Sequence, residues 1–156
     1  MSEERRSADY PLGPALEFLE RLWELDHALE RLSSRMERTI GITAQQRLVV
    51  RCVGKYPGIA AGQLAAVLHV DPGTISAALG RLEEKGLIER RRDPRDKRRV
   101  TVGLTERGHA LDRPAAGTVE HAVERLFAEI GDERVATTAA VLERLSALLA
   151  SEVHED

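Results

Sequence analysis

The chain has one cysteine, Cys52, in 156 residues. That excludes an internal disulfide and a cysteine-rich zinc site. The histidines, at 27, 69, 109, 121 and 154, form no close ligand cluster along the chain, so neither a metal nor another cofactor is expected. Aromatic residues make up only 3% of the sequence, so the core must be built from Leu, Val, Ala and Ile. Long apolar runs are missing too. The opening MSEERRSADYPLG lacks the hydrophobic stretch of a signal peptide, and no later segment is long enough to span a bilayer. No membrane partner is expected, and the expected compartment is the cytoplasm. Nor is there a phosphate-binding glycine loop, a nucleophile elbow or an HExxH metal pair, so the sequence does not read as an enzyme.

What is present is charge, unevenly spread. The whole chain carries a net −3, which taken alone argues against nucleic acid. Residues 1–40 carry a net −3, residues 41–104 a net +6 and residues 105–156 a net −6. A basic middle between acidic ends is the pattern expected when one face meets phosphate and the flanking segments do something else. Local sign therefore outweighs the total.

Residues 1–13 read as a flexible tail, and 14–40 as one long helix. Ala15, Phe18, Leu22, Leu25, Leu29, Leu32 and Met36 step by alternating threes and fours, a heptad seam, and Leu16, Leu19 and Trp23 widen it. Such a helix serves either a subunit interface or the core of a monomer. Gly41 stops it, and Thr43 caps the next. In that second helix Gln45, Leu48, Val49, Cys52, Val53 and Tyr56 form the expected buried face, with Arg47, Arg51 and Lys55 opposite. Pro57-Gly58 ends it.

The informative stretch follows. Ala60 to Leu68 is a short helix expected to bury Leu64, Val67 and Leu68. His69-Val70 makes a turn, Asp71 caps another helix and Pro72 occupies its first position, where a missing N–H costs nothing. Ile75, Leu79 and Leu82 face inward, while Gly73, Ser76, Ala77 and Gly80 line the outer face with Thr74 and Arg81 at its edges. Gly86 stops the helix. Leu87 to Arg91 and Arg99 to Leu104 then read as strands joined by a turn-rich loop. From Glu89 to Arg99 the net charge is +4. A helix capped from Thr105, bent at Pro114, runs to about Ile130, and a last helix to about Ser151 buries Val135, Ala139, Leu142, Leu145, Leu148 and Leu149.

The fold class is thus mainly α with a small β-wing: a winged helix-turn-helix over 41–104, flanked by dimerisation helices at 14–40 and 105–156. The capped helix start offers N–H groups and a positive dipole end to phosphate, and short side chains let the helix sit deep in a groove. The expected contacts to double-stranded DNA are Gly73, Thr74, Ser76, Ala77, Gly80 and Arg81 on the helix, with Arg95, Asp96, Lys97, Arg98 and Arg99 in the loop. A solvated charged face, or a winged fold used to dock protein, are the competing readings.

The run from Leu64 to Gly108, with Arg81-Leu82-Glu83, Gly86-Leu87-Ile88, Asp96-x-Arg98 and Leu104-Thr105, resembles the MarR family of bacterial transcriptional regulators. The resemblance implies a homodimer gripping a palindromic operator, with Arg98 entering the minor groove and Asp96 orienting it. It also implies a repressor released by a small ligand, often an aromatic acid, or by oxidation. Two positions depart from the family pattern. Ala77 stands where an Arg is common, which shifts reading toward the wing and DNA shape. Arg47 stands where many members have an aromatic residue, which favours an anionic effector. Trp23, His27, Arg31, Arg47 and Arg51 are the candidate effector lining, against the reading that Trp23 is core and the arginines are solvated or face phosphate. Cys52 is either an oxidation sensor or an inert thiol on an apolar face.

Overall fold

The computed structural model describes residues 10–153. The expected tail therefore lies largely outside the described residues, as does His154. Two compact units are found, Met1–Pro114 and Ala115–Asp156.

The first unit opens with α1 (Pro14–Ile40), stopped by Gly41 in the left-handed conformation at φ 81°. α2 (Ala44–Lys55) starts at a capping box: Gln46 N–H donates to the Thr43 hydroxyl at 3.2 Å, and Thr43 N–H donates to Gln46 Oε1 at 3.3 Å. Then come β1 (Ile59–Ala60), α3 (Ala61–Leu68) and α4 (Pro72–Glu84). β2 (Ile88–Arg92), β3 (Val100–Leu104) and α5 (Glu106–Leu111) complete the unit. The sheet is antiparallel with order β1-β3-β2, and Ile88, Arg90 and Arg92 stand opposite Leu104, Val102 and Val100.

Two strands were expected and three are present. β1 is only two residues long and exists through its pairing of Ile59 with Val102 and Ala60 with Thr101. The core is aliphatic, as the scarcity of aromatics requires. Val49, Val50 and Val53 of α2 meet Leu64 of α3, Ile75, Leu79 and Leu82 of α4, and Ile88 and Val102 of the sheet. Val67, expected inside, is exposed. α3 is eight residues long and turns Leu64 and Ala65 inward instead.

The largest revision concerns α2. Leu48 and Tyr56 are exposed, whereas Gln46 and Arg47 are buried, Arg47 to 2% relative exposure. The helix is turned so that Arg47 and Arg51 face the end of α5. Arg47 donates to the carbonyl oxygens of Leu111 and Arg113, both at 2.7 Å. Arg51 donates to the Asp112 carbonyl at 2.5 Å and to its carboxylate at 2.8 Å. A helix C-terminus leaves carbonyls without intrahelical donors, and guanidinium groups supply them. Gly54, one turn further on, completes the seat: a Cβ there would collide with the Asp112 carboxylate.

The end of α4 and the start of α5 are braced in the same manner. Lys85 Nζ, at the end of α4, donates to Gly41 O at 2.8 Å and Gln46 Oε1 at 3.0 Å. Thr105 donates its hydroxyl to Gly86 O at 2.7 Å and accepts from Gly108 N–H at 3.1 Å, capping α5.

The helix expected to bend at Pro114 is instead two helices. α5 ends at Leu111, and α6 (Val119–Ile130) starts afresh in the second unit, capped by Thr118. Proline removes an N–H and clashes with the preceding turn, and Gly117 at φ 77° takes the chain out of helix altogether. α7 (Asp132–Val153) follows Gly131. Neither α6 nor α7 contains a fully buried residue. Of the six residues expected inside the last helix, Val135 and Leu145 are half-buried, and Ala139, Leu142, Leu148 and Leu149 are exposed.

Candidate nucleic-acid interface

The outer face of α4 is small and open. Asp71 caps it: Thr74 N–H donates to Oδ1 at 2.9 Å, and the Thr74 hydroxyl donates to Oδ2. These bonds to the ionised form, the hydroxyl first and the backbone second, hold the Asp71 carboxyl below its ordinary value. The Thr74 proton is thus committed to the cap, and only its lone pairs remain for a ligand. Gly73, Ser76, Ala77 and Arg81 are exposed, and Gly80 is half-buried. With no side chain longer than Thr from 73 to 80 on this face, the helix backbone can approach another surface closely.

The wing is a tight basic loop between β2 and β3. Asp93 Oδ1 accepts from Arg95 N–H at 2.8 Å, and Asp96 Oδ1 accepts from Arg98 N–H at 3.0 Å. Arg99 N–H donates to Asp96 O at 2.9 Å, and Asp93 N–H to Arg99 O at 2.9 Å. Asp96 therefore orients Arg98 through the backbone, as an Asx turn, and not by pairing with its guanidinium. Arg95, Lys97 and Arg98 are exposed, and among the described residues no carboxylate pairs with any of them. Arg99 differs, since its guanidinium donates to Gln63 Oε1 on α3 at 3.3 Å. Three unpaired cations on a constrained loop form a patch suited to phosphate or to a narrow minor groove.

Arg90 is not among the contacts expected from the sequence. Its register opposite the buried Val102 puts it on the sheet face that packs against α4. Its Nε donates to Glu83 Oε2 at 3.1 Å, and its Nη2 lies 3.5 Å from where a Gly80 Cβ would be. Only the strand register reveals this position.

The five effector candidates fare unevenly. Trp23, His27 and Arg31 are exposed on α1, Trp23 at 64%. Arg47 and Arg51 both donate to residues 111–113. A surface hollow of about 490 Å³ is bordered by Tyr56, Ile59 and Val67, and another of about 210 Å³ by Ile40, Lys85 and Arg107. Neither is lined by any of the five. Asp26, His27 and Glu30 lie close enough together to share an ion, but all three are exposed on one helix. Cys52 is half-buried, and burial pushes its thiol above the ordinary value, with Lys55 pulling partly back. Among the described residues no helix is long and apolar enough to cross a membrane.

A capped helix pair braced against a three-stranded sheet, with a cationic hairpin beside an open second helix, defines a winged helix-turn-helix. The MarR family matches residues 42–100. A candidate transcriptional regulatory protein for the hcr operon of Thauera aromatica is 31% identical over 123 residues, covering 76% of this chain and 71% of that protein. FabT of Streptococcus pneumoniae, solved in complex with DNA, superposes with a TM-score of 0.65 at 26% identity, over 88% of this chain and 99% of that one. PcaV of Streptomyces coelicolor, solved with its natural ligand, gives a TM-score of 0.65 at 24% identity, over 90% of this chain and 94% of its own. The chain belongs to the MarR family of DNA-binding transcriptional regulators.

Proposed function

We propose that the protein is a cytoplasmic, ligand-responsive repressor, not an enzyme, and that it acts as a homodimer on a palindromic operator. The observation that carries this is the pairing of an open, small-faced α4 with an unpaired cationic wing, in a chain that leaves apolar faces of α1, α6 and α7 uncovered. Residues 41–104 would read DNA, and 14–40 and 105–156 would join the two copies. The helix contacts are Gly73, Thr74, Ser76, Ala77, Gly80 and Arg81. The wing contacts are Arg95, Lys97 and Arg98, with Asp96 shaping the loop and Arg99 braced by Gln63. A protein-docking role for the wing fits less well, because its excess charge is of one sign and lies beside the open helix.

The effector is a small aromatic or anionic molecule meeting Trp23, His27 and Arg31 on α1. Control by oxidation of Cys52 is disfavoured by the raised thiol pKa, since the thiolate is the reactive form.

A mobility-shift titration on DNA upstream of the protein's own gene, across a salt series, tests the reading. Affinity falling steeply with salt, at a stoichiometry of two chains per site, is the expected result. A flat salt response would remove it. Quenching of Trp23 by aromatic acids, coupled to release of DNA, is the corresponding test for the effector.

A further inference from the structure

Resting on the DNA-binding reading above, we propose that Arg90 is a phosphate-contacting residue, delivered to the edge of the recognition helix by strand β2. Three features place it there. The sheet register turns Arg90 toward α4 rather than away from it. Gly80 supplies the space, since Arg90 Nη2 lies only 3.5 Å from the position a Cβ would take. Glu83, one turn beyond Gly80, holds Nε at 3.1 Å and so fixes the direction of the side chain.

Gly80 continues the stripe of Gly73, Ser76 and Ala77 at helical spacing, so a guanidinium lying over it sits beside the face that enters the groove. Among the described residues only Glu83 engages the guanidinium, through Nε, which leaves the four N–H bonds of the two terminal nitrogens for a ligand. The side chain retains 30% exposure, so it is not sealed inside the unit.

Phosphate, rather than a base edge, is the partner for two reasons. The stripe leads from the capped N-terminus, and Gly80 lies two turns along it. When so small-faced a helix lies deep, elements flanking its later turns meet the walls of the groove, and those walls are phosphate. Glu83 gives the second reason. Its carboxylate, 45% exposed at the same edge, would repel the backbone unless a cation stood between them. Arg90 screens Glu83 and offers its own donors in the same position.

Duplexes enriched from a random pool by the full chain supply the probe. Arg90→Met is expected to weaken binding about ten-fold, equally on enriched and scrambled duplexes, and to lower the log–log salt slope by about one. Arg90→Lys should restore the slope. Glu83→Gln should leave affinity unchanged or raise it, because it removes a negative charge facing phosphate. A purely structural pair behaves otherwise: both Arg90→Met and Glu83→Gln would weaken binding and lower the melting temperature together. That result overturns the proposal, as does wild-type affinity and slope in Arg90→Met. A loss confined to one base pair overturns it in favour of base reading. If the wild-type chain enriches no duplex, the DNA-binding reading itself falls and takes this proposal with it.

Discussion

The winged region and the C-terminal helices draw on the same aliphatic residues and use them differently. In the winged region Leu64, Leu79, Leu82 and Val50 are wholly withdrawn from water, and three helices contribute them to one core. In α6 and α7 the comparable residues Leu126, Phe127, Leu142 and Leu149 remain between 41% and 59% exposed. One region closes its own core, and the other presents apolar faces that its own unit does not cover. At roughly 25 cal/mol per Å² of apolar surface, such faces favour association strongly. In the function proposed above, reading is complete within one chain, and a second copy covers the exposed faces.

The sharpest way to break this contrast is to spoil the exposed faces. The double variant Leu142→Glu, Leu149→Glu should keep its winged unit folded yet sediment as a monomer. Its operator affinity should drop by about 10²–10⁴-fold, because two linked half-site contacts become separate events. A dimer of undiminished affinity would show that these faces serve something else.

Within the winged unit, Arg47→Met tests whether a buried cation can be as necessary as a buried leucine. The carbonyls of Leu111 and Arg113 would lose their donors, at a cost of about 3 kcal/mol in chemical denaturation. An exposed pair such as Arg91 with Glu89 should contribute less than about 1 kcal/mol.

A smaller effect separates wing from helix. Arg98→Ala should reduce operator affinity about ten-fold and Ser76→Ala about three-fold or less, since Ser76 has one short donor and Arg98 a free guanidinium. The reverse ranking in a binding titration would return the reading role to α4.

The smallest expected effect is a pH dependence at the cap. The carboxyl of Asp71 is depressed in the folded state, so its stabilisation is complete above the unfolded value. It is lost as pH falls through the lower folded one. Asp71→Asn keeps a capping oxygen and cannot titrate. Urea midpoints of the two proteins should therefore converge as pH drops below about 4, and parallel curves would refute the assignment.

Much of this architecture could be read from single residues. Gly41, Thr43, Asp71, Pro72 and Thr105 act locally, so their stops and caps fall where the sequence places them. Features that depend on a distant partner could not be read. β1 has meaning only beside β3. Arg47 counts as a surface residue until the last carbonyls of α5 are seen to lack donors. Pro114 signals an interruption, but whether the chain bends or stops there depends on Gly117 and Thr118 beyond it. The site divides in the same way. The open helix face and the basic loop follow from composition and spacing, whereas Arg90 comes into view only through its pairing with Val102.

The contact between Gly54 and Asp112 bears on how this protein can be recombined with its relatives. Any methyl at position 54 would compete with the carboxylate for the same volume, so a side chain at 54 requires the Asp112 carboxylate to move or be replaced. A chimera joining the α2 of one relative to the α5 of another would inherit half of a matched pair. Exchanges of specificity should succeed when the crossover points keep 54 and 112 from the same parent. They should fail when a graft of the intervening wing carries only one of them.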